Sequence, residues 1–276
     1  MHRRTPFPAA SLAALTVPLL TACASTVSEG AVGGPTDLVL ATLFVNASAE
    51  YDAACRTVYA AATSSLEAKM ASRGAGARPA AVVLDVDETV LDNSPYEVRL
   101  IHEGTGYPTG WDEWCNEAAA ELVPGVGDFI ARARALGVEV FFVTNRKAHL
   151  EAGTAENLRR RGVLEERDVD VVLMRGEVPE WTSDKTTRRE HVERTHDIVL
   201  LGGDNVGDFL AFEAEEPSNA ERAREIAARG DRWGVDWFML PNPMYGGWDE
   251  AAIGYDYGAD AAELRRRRVD GLDAMR

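Results

Sequence analysis

Residues 82–92 read Val-Val-Leu-Asp85-Val-Asp87-Glu-Thr89-Val-Leu-Asp92, an apolar run that stops in two aspartates two positions apart. A run apolar on both faces is what a strand inside a parallel sheet requires, so this stretch predicts an α/β fold. Acids at the carboxyl end of such a strand lie where open α/β sheets hold their ligands. Side chains at i and i+2 of extended backbone point the same way, which turns Asp85 and Asp87 toward one site. One can attack or bind a metal while the other moves a proton. The pair is a candidate phosphoryl-transfer centre.

Three further segments supply what such a centre needs. Residues 138–146, Val-Glu-Val-Phe-Phe-Val-Thr144-Asn145-Arg146, form a second apolar strand ending in a hydroxyl and an amide, neutral donors suited to phosphate oxygens. Lys185 follows Trp181-Thr-Ser183-Asp184, where Ser183 or Asp184 can cap a helix opening around the lysine. Residues 198–209, Ile-Val-Leu-Leu-Gly-Gly203-Asp204-Asn-Val-Gly207-Asp208-Phe, again end a strand in acids, with glycines permitting close backbone approach. Asp204 together with Asp85 offers the hard oxygen ligands that Mg²⁺ prefers.

Strand-like runs at 80–86, 138–144, 169–174, 197–202 and 235–240 alternate with helical stretches, the pattern of a parallel sheet with helices on both faces. Residues 37–72 have an alanine-rich helical composition. The stretch 93–123 is too long for a simple connection and reads as a small, mainly helical cap carrying Tyr96, Tyr107, Trp111 and Trp114. Pro124-Gly125-Val126 then starts the helix that returns to the core. The Arg265–Arg268 run sits in an acidic context and reads as a solvated face or tail.

Five blocks taken together, 85–96 (DVDETVLDNSPY), 123–125 (VPG), 141–146 (FFVTNR), 203–209 (GDNVGDF) and 238–248 (FMLPNPMYGGW), resemble the haloacid dehalogenase-like hydrolase superfamily. Within it they are most similar to the secreted class C acid phosphatases, a family that includes outer-membrane lipoproteins. The likeness runs from about residue 38 to 258 and implies a Rossmann-like α/β domain. It implies that Asp85 is the nucleophile, forming an aspartyl-phosphate, and that Asp87 is the general acid and base. It also implies Mg²⁺ held by Asp85, Asp204 and the backbone carbonyl of Asp87, with Thr144, Asn145 and Lys185 on the phosphate. Asp208 then orients a metal water or Lys185. One departure is visible: the family reads G-D-N-L-D-D-F where this chain has Gly207, although Asp208 matches the second acid.

At the amino terminus, His2-Arg3-Arg4 precede an apolar stretch from Phe7 to Leu20 and then Leu20-Thr-Ala-Cys23. The stretch, about 14 residues, is short of the ~20 needed to span a bilayer and reads as a secretory signal over 1–22. Its end matches a bacterial lipobox, so Cys23 is expected to carry lipid and 23–36 to serve as a tether. The acid phosphatase domain is then expected over 37–260 and a C-terminal tail over 261–276. The expected location is the outer face of a bacterial membrane, or the medium if Cys23 stays unlipidated. Cys55 and Cys115 can pair in an oxidising compartment or remain buried thiols.

The chain carries a formal charge of −16, and losing Arg3 and Arg4 with the signal leaves it more acidic still. That disfavours DNA or RNA as partners, but not a small phosphomonoester neutralised locally. Tyr96, Trp111, Tyr245 and Trp248 are candidates for a slot that stacks a flat leaving group. The resemblance implies 5′-nucleotides or nicotinamide mononucleotide among the substrates. Two rivals stand beside hydrolysis: transfer of the phosphoryl group to an alcohol, and a silent lipoprotein that only binds ligands.

Overall fold

The computed structural model of the chain describes residues 36–166 and 170–274. The signal sequence, Cys23 and nearly all of the tether lie outside the described residues. The elements run α1 (Thr36–Ala47), α2 (Ala49–Ser72), β1 (Ala80–Leu84), β2 (Leu91–Asp92), α3 (Ser94–Glu103), α4 (Trp111–Glu117), β3 (Glu121–Leu122), α5 (Val126–Ala135) and β4 (Glu139–Lys147). They continue with α6 (Glu151–Arg160), β5 (Val172–Arg175), α7 (Thr186–Glu193), β6 (Asp197–Gly203), α8 (Asn219–Ala228), β7 (Trp237–Met239), α9 (Gly247–Ile253) and α10 (Ala261–Ala274).

Five strands form one parallel sheet in the order β5-β4-β1-β6-β7. The chain builds outward from β1 to β4 and β5, then returns to the other side of β1 for β6 and β7. The crevice where strand order reverses lies at the carboxyl end of β1, so topology alone places Asp85 where such sheets bind ligands. Every residue of β1 is buried, as its apolar sequence on both faces demands.

The helical stretch expected over 37–72 is two helices. Ser48 leaves the helix in extended conformation and caps α2, its hydroxyl accepting from the Tyr51 N–H at 3.1 Å. α2 packs on α5, β6 and β7, and its Tyr59 hydroxyl donates to the Thr89 carbonyl at 2.6 Å, bracing the loop after β1 from below.

The insertion after β1 holds α3, α4 and a two-stranded antiparallel pairing of β2 with β3. Gly125 enters α5 at φ 92°, where a side chain would be strained, and an added Cβ would also press on Tyr59 at 3.3 Å. Cys55 and Cys115 are both buried free thiols. The C-terminal segment is a helix packed on α9 rather than a free tail. Its arginines are spent locally: Arg268 on Asp249 at 2.7 Å, Arg267 on the Ile253 carbonyl at 2.7 Å, and Arg266 on Glu263.

Burial of Glu97 on α3 pushes its carboxyl up to about 7. The folded protein therefore keeps a proton that the unfolded chain releases at ordinary carboxylate pH. Stability contributed by this proton is full below about pH 4, and it is lost as pH rises toward 7. Glu97→Gln is expected to be nearly neutral at pH 4 and to add roughly 2–3 kcal/mol at pH 8, with about 1.36 kcal/mol per pKa unit. Urea midpoints at the two pH values measure this, and an unchanged difference between them would refute the assignment.

Candidate active site

The loop after β1 is drawn tight by Val90 and Leu91 N–H groups donating to the Val86 carbonyl at 2.9 and 2.8 Å. Asp85 itself is anchored by its N–H to the Gly202 carbonyl on β6 at 3.0 Å. Its buried carboxylate accepts from the Nζ of Lys185, which also reaches Asp208 Oδ1 at 2.7 Å. Lys185 is only 4 % exposed. Burial opposes its charge, but Asp208 and Asp85 together outweigh that and hold the ammonium above its ordinary value.

Asp85, Asp204 and Asp208 bring carboxylate oxygens within 4.8 Å of one another. Burial pushes the Asp85 carboxyl up to about 7, with Lys185 pulling it down and Asp208 and Asp87 adding to the rise. Asp204 is raised well above the carboxylate range by burial, then by Asp208 and Asp85. Three crowded acids against one lysine make a charge imbalance that a divalent cation relieves, and an all-oxygen donor set suits a hard one. The cluster fits a divalent metal on chemistry as well as spacing.

Close local packing builds this cluster. Asp208 closes a capping box with Asn205, its Oδ2 accepting the Asn205 N–H at 2.8 Å. A Cβ at Gly203 would fall 2.5 Å from that of Asp208, so only glycine lets the acid fold back over the strand end. Position 207 stands apart: Asp208 carries the carboxylate to Lys185, and a Cβ at Gly207 would meet only Asn205 Oδ1, at 3.8 Å. Asn242 aims Asp204, its Nδ2 donating to Asp204 Oδ2 at 2.9 Å.

Asp87 is half-buried and held unequally on its two oxygens. Asn93 Nδ2 (2.8 Å) and Arg146 Nε (2.9 Å) both donate to Oδ1, while Oδ2 accepts the Thr144 hydroxyl at 3.3 Å. Oδ2 is therefore the less heavily bonded of the two. The strand β4 explains the clamp. It runs on to Lys147 instead of ending near 144, so Thr144 and Arg146 point to the same side and Asn145 to the other. Arg146 is further fixed by Thr154 at 3.1 Å and by Asn93 Oδ1 at 3.2 Å, and it lies over the Trp111 ring at 5.3 Å.

Several expected site residues have other employment. The Thr144 hydroxyl faces Asp87 and accepts the Arg146 N–H at 3.0 Å, rather than lining an open phosphate pocket. Asn145 is turned away, donating to the Ser183 carbonyl at 2.9 Å and accepting from Arg188 at 2.7 Å. Tyr96 is 2 % exposed with its hydroxyl on the Thr109 carbonyl, so it is core and not substrate wall. The Tyr245 hydroxyl donates to the buried carboxyl of Glu88, and Trp248 is exposed at the surface. Of the four stacking candidates, Trp111, half-buried beside Tyr96 and Tyr107, stands next to the Asp87 clamp, where the buried Trp114 also donates to Asn93 Oδ1 at 2.8 Å. Lys185 precedes α7 rather than lying in its first turn, and Asp184 accepts the Thr186 N–H at 2.8 Å.

Sequence reading missed Asn93, Arg146, Glu88, Arg188 and Asn242. Period-2 alternation from Thr144 was the available signal for Arg146. Nothing local pointed to the others. Glu88 sits at φ 57°, an uncommon backbone position held by its bonds to the Asn93 N–H (2.8 Å) and to Tyr245. Arg188, fully buried, ties the Thr144 carbonyl to Asn145 and Thr182.

Arg146→Lys is expected to cut kcat by roughly 10²-fold, because an ammonium cannot reproduce the guanidinium fork and small misplacements of an acid–base group carry that cost. The pH–rate profile should shift with it, while KM changes little. An unaltered profile would make the clamp structural only.

A family model described as HAD superfamily, subfamily IIIB (Acid phosphatase) matches residues 35–248. Among solved structures, the class C acid phosphatase from Bacillus anthracis superposes with a TM-score of 0.78 at 35 % identity, covering 85 % of this chain and 95 % of that one. The same enzyme with tungstate bound gives 0.78 at 34 % identity. Among curated relatives, the stem 28 kDa glycoprotein of Glycine max is 27 % identical over 172 residues, covering 59 % of this chain and 58 % of the relative. Acid phosphatase 1 of Solanum lycopersicum is 25 % identical over 175 residues, 59 % of this chain and 57 % of its own. The chain thus spans less than two thirds of the length of these plant relatives.

Proposed function

Because the chain belongs to the subfamily IIIB acid phosphatases of the HAD superfamily, we propose that it hydrolyses small phosphomonoesters by covalent catalysis at Asp85. The observation that carries this is one cluster: Asp85 at the switch point, bonded to a buried lysine, with Asp204 and Asp208 beside it and Asp87 clamped nearby.

An Asp85 oxygen attacks phosphorus while the ester P–O bond breaks, and Asp87 gives its proton from Oδ2 to the leaving oxygen. Water then attacks the aspartyl-phosphate, Asp87 takes the water proton, and the Asp85–phosphorus bond breaks to free phosphate. Lys185 balances charge on the transferring group while keeping Asp85 aimed. Asp85, Asp204 and the Asp87 carbonyl would hold Mg²⁺, with Asp208 set by Lys185 and Asn205. When bound, the ion neutralises phosphoryl oxygens and orients the group for in-line displacement. Tungstate, bound by the Bacillus anthracis enzyme, is a tetrahedral oxyanion like phosphate, which supports a phosphoryl group as the ligand of this site.

The substrates proposed are 5′-nucleotides or nicotinamide mononucleotide, with Trp111 and the exposed Tyr107 as the flat wall beside the clamp. The site of action proposed is the outer face of a bacterial membrane, through lipid on Cys23 of the Leu20-Thr-Ala-Cys23 lipobox.

Phosphate release from p-nitrophenyl phosphate and a nucleotide panel tests the reaction. EDTA is expected to abolish turnover and added Mg²⁺ to restore it. Full activity under chelation would refute the metal assignment. Sugar phosphates turned over as fast as nucleotides would refute the stacking wall.

A further inference from the structure

The first helix of the domain is exposed where an interior helix would be covered. Between Leu38 and Ala47, α1 carries no charged residue. Thr42 and Val45 are buried, and Leu38 and Ala41 pack against the core. On the opposite side Leu40 is 75 % and Leu43 57 % exposed, flanked by exposed Val39 and Phe44. At 100° per residue these four cover about 140° of the helix, an apolar surface roughly one and a half turns long. Contiguous exposed apolar patches of this kind mark interaction surfaces.

What lies immediately before α1 says what covers it. Residues 23–35 link the lipobox cysteine to Thr36, and thirteen residues span at most about 45 Å whatever their conformation. A lipid at Cys23 therefore keeps α1 within a bilayer's reach. α1 is twelve residues long, too short to span a bilayer, so the contact it makes is by a face.

We propose that Val39, Leu40, Leu43 and Phe44 seat α1 in the interfacial region of the bilayer that holds the Cys23 lipid. The proposal rests on lipidation at Cys23 as proposed above. The surface has no cation on this face, and α2 opens with Glu50 and Asp52 beside it. The contact is thus apolar, and anionic lipid does not strengthen it. Seating also orients the enzyme. Asn46 of α1 donates to Ser94 of α3 at 3.2 Å, and the neighbouring Asn93 clamps Asp87. The lipid fixes the chain to the membrane, and α1 fixes which side of the domain faces it.

The lipidated mature protein, reconstituted in phosphatidylcholine vesicles, tests this with a polarity-sensitive fluorophore on Leu40→Cys. Cys55 and Cys115 are buried, so the label goes to position 40. A matched label on Leu272→Cys reports another exposed leucine, on α10. A nitroxide quencher carried on the acyl chains is expected to dim the label at 40 about twofold and leave that at 272 unchanged, since interfacial helices sit ~5–10 Å into the headgroup boundary. Added phosphatidylglycerol should not increase the effect, and kcat on soluble substrate should equal that of the parent.

A lipidated protein with no quenching at 40, or equal quenching at 272, overturns the proposal. So does a label shielded from both water and quencher in a protein that sediments as a dimer, which gives the face to a second copy. Intact mass distinguishes these outcomes from a chain that emerges without lipid. In that case the anchor reading fails first and the proposal falls with it.

Discussion

The Asp85→Asn protein is expected to fold as the parent does and to lose turnover by on the order of 10⁴–10⁶-fold, the scale at which nucleophile removal acts in covalent enzymes. The amide keeps the shape of the carboxylate and can still accept from Lys185, so binding and fold survive while attack on phosphorus does not. Removing one charge from a cluster of three acids also relieves repulsion, so the thermal midpoint should match or exceed that of the parent. Both results come from one preparation, by a steady-state assay and a melt. Metal-dependent turnover within tenfold of the parent would rule out Asp85 as nucleophile.

Lys185→Met carries the largest expected cost in stability. Methionine fills a similar volume, but in metal-free protein, kept so with EDTA, Asp85 and Asp208 then face each other with no cation between them, both buried. Breaking a buried ion pair by removing one partner costs about 3–5 kcal/mol. Asp85, whose carboxyl burial already raises to about 7, takes up a proton as pH falls, so the deficit should be widest above pH 7 and shrink toward pH 5. Activity should fall too, because nothing then offsets charge on the transferring phosphoryl group. A denaturant midpoint unchanged at pH 8 would mean that the lysine is dispensable to the fold.

The strand ends were readable because they obey local rules. Apolar runs closing in Asp85, Thr144 and Asp204 marked three adjacent strands, and the sheet places all three at one crevice. Lys185 was readable as chemistry but not as structure, since nothing in its neighbouring sequence shows that Asp85 and Asp208 enclose it. In the block 238–248, Tyr245 was legible only as an aromatic suited to stacking, and Asn242 carried no signal. In the structure they reach back to Glu88 and Asp204, contacts across 157 and 38 positions that no periodicity encodes. Arg146 lay one strand step beyond the expected end of β4, and that step is what turned it onto Asp87. The break between α1 and α2 at Ser48 was hidden because neither proline nor glycine marks it, and a serine cap competes with helix continuation.

The most direct test of covalent catalysis is to quench the enzyme in acid during turnover of a ³²P-labelled phosphomonoester and map the protein-bound label. The account predicts one acid-stable, hydroxylamine-labile phosphoryl group on the peptide containing Asp85, absent from Asp85→Asn. Rapid turnover with no label on the protein, or label on any other residue, would contradict it.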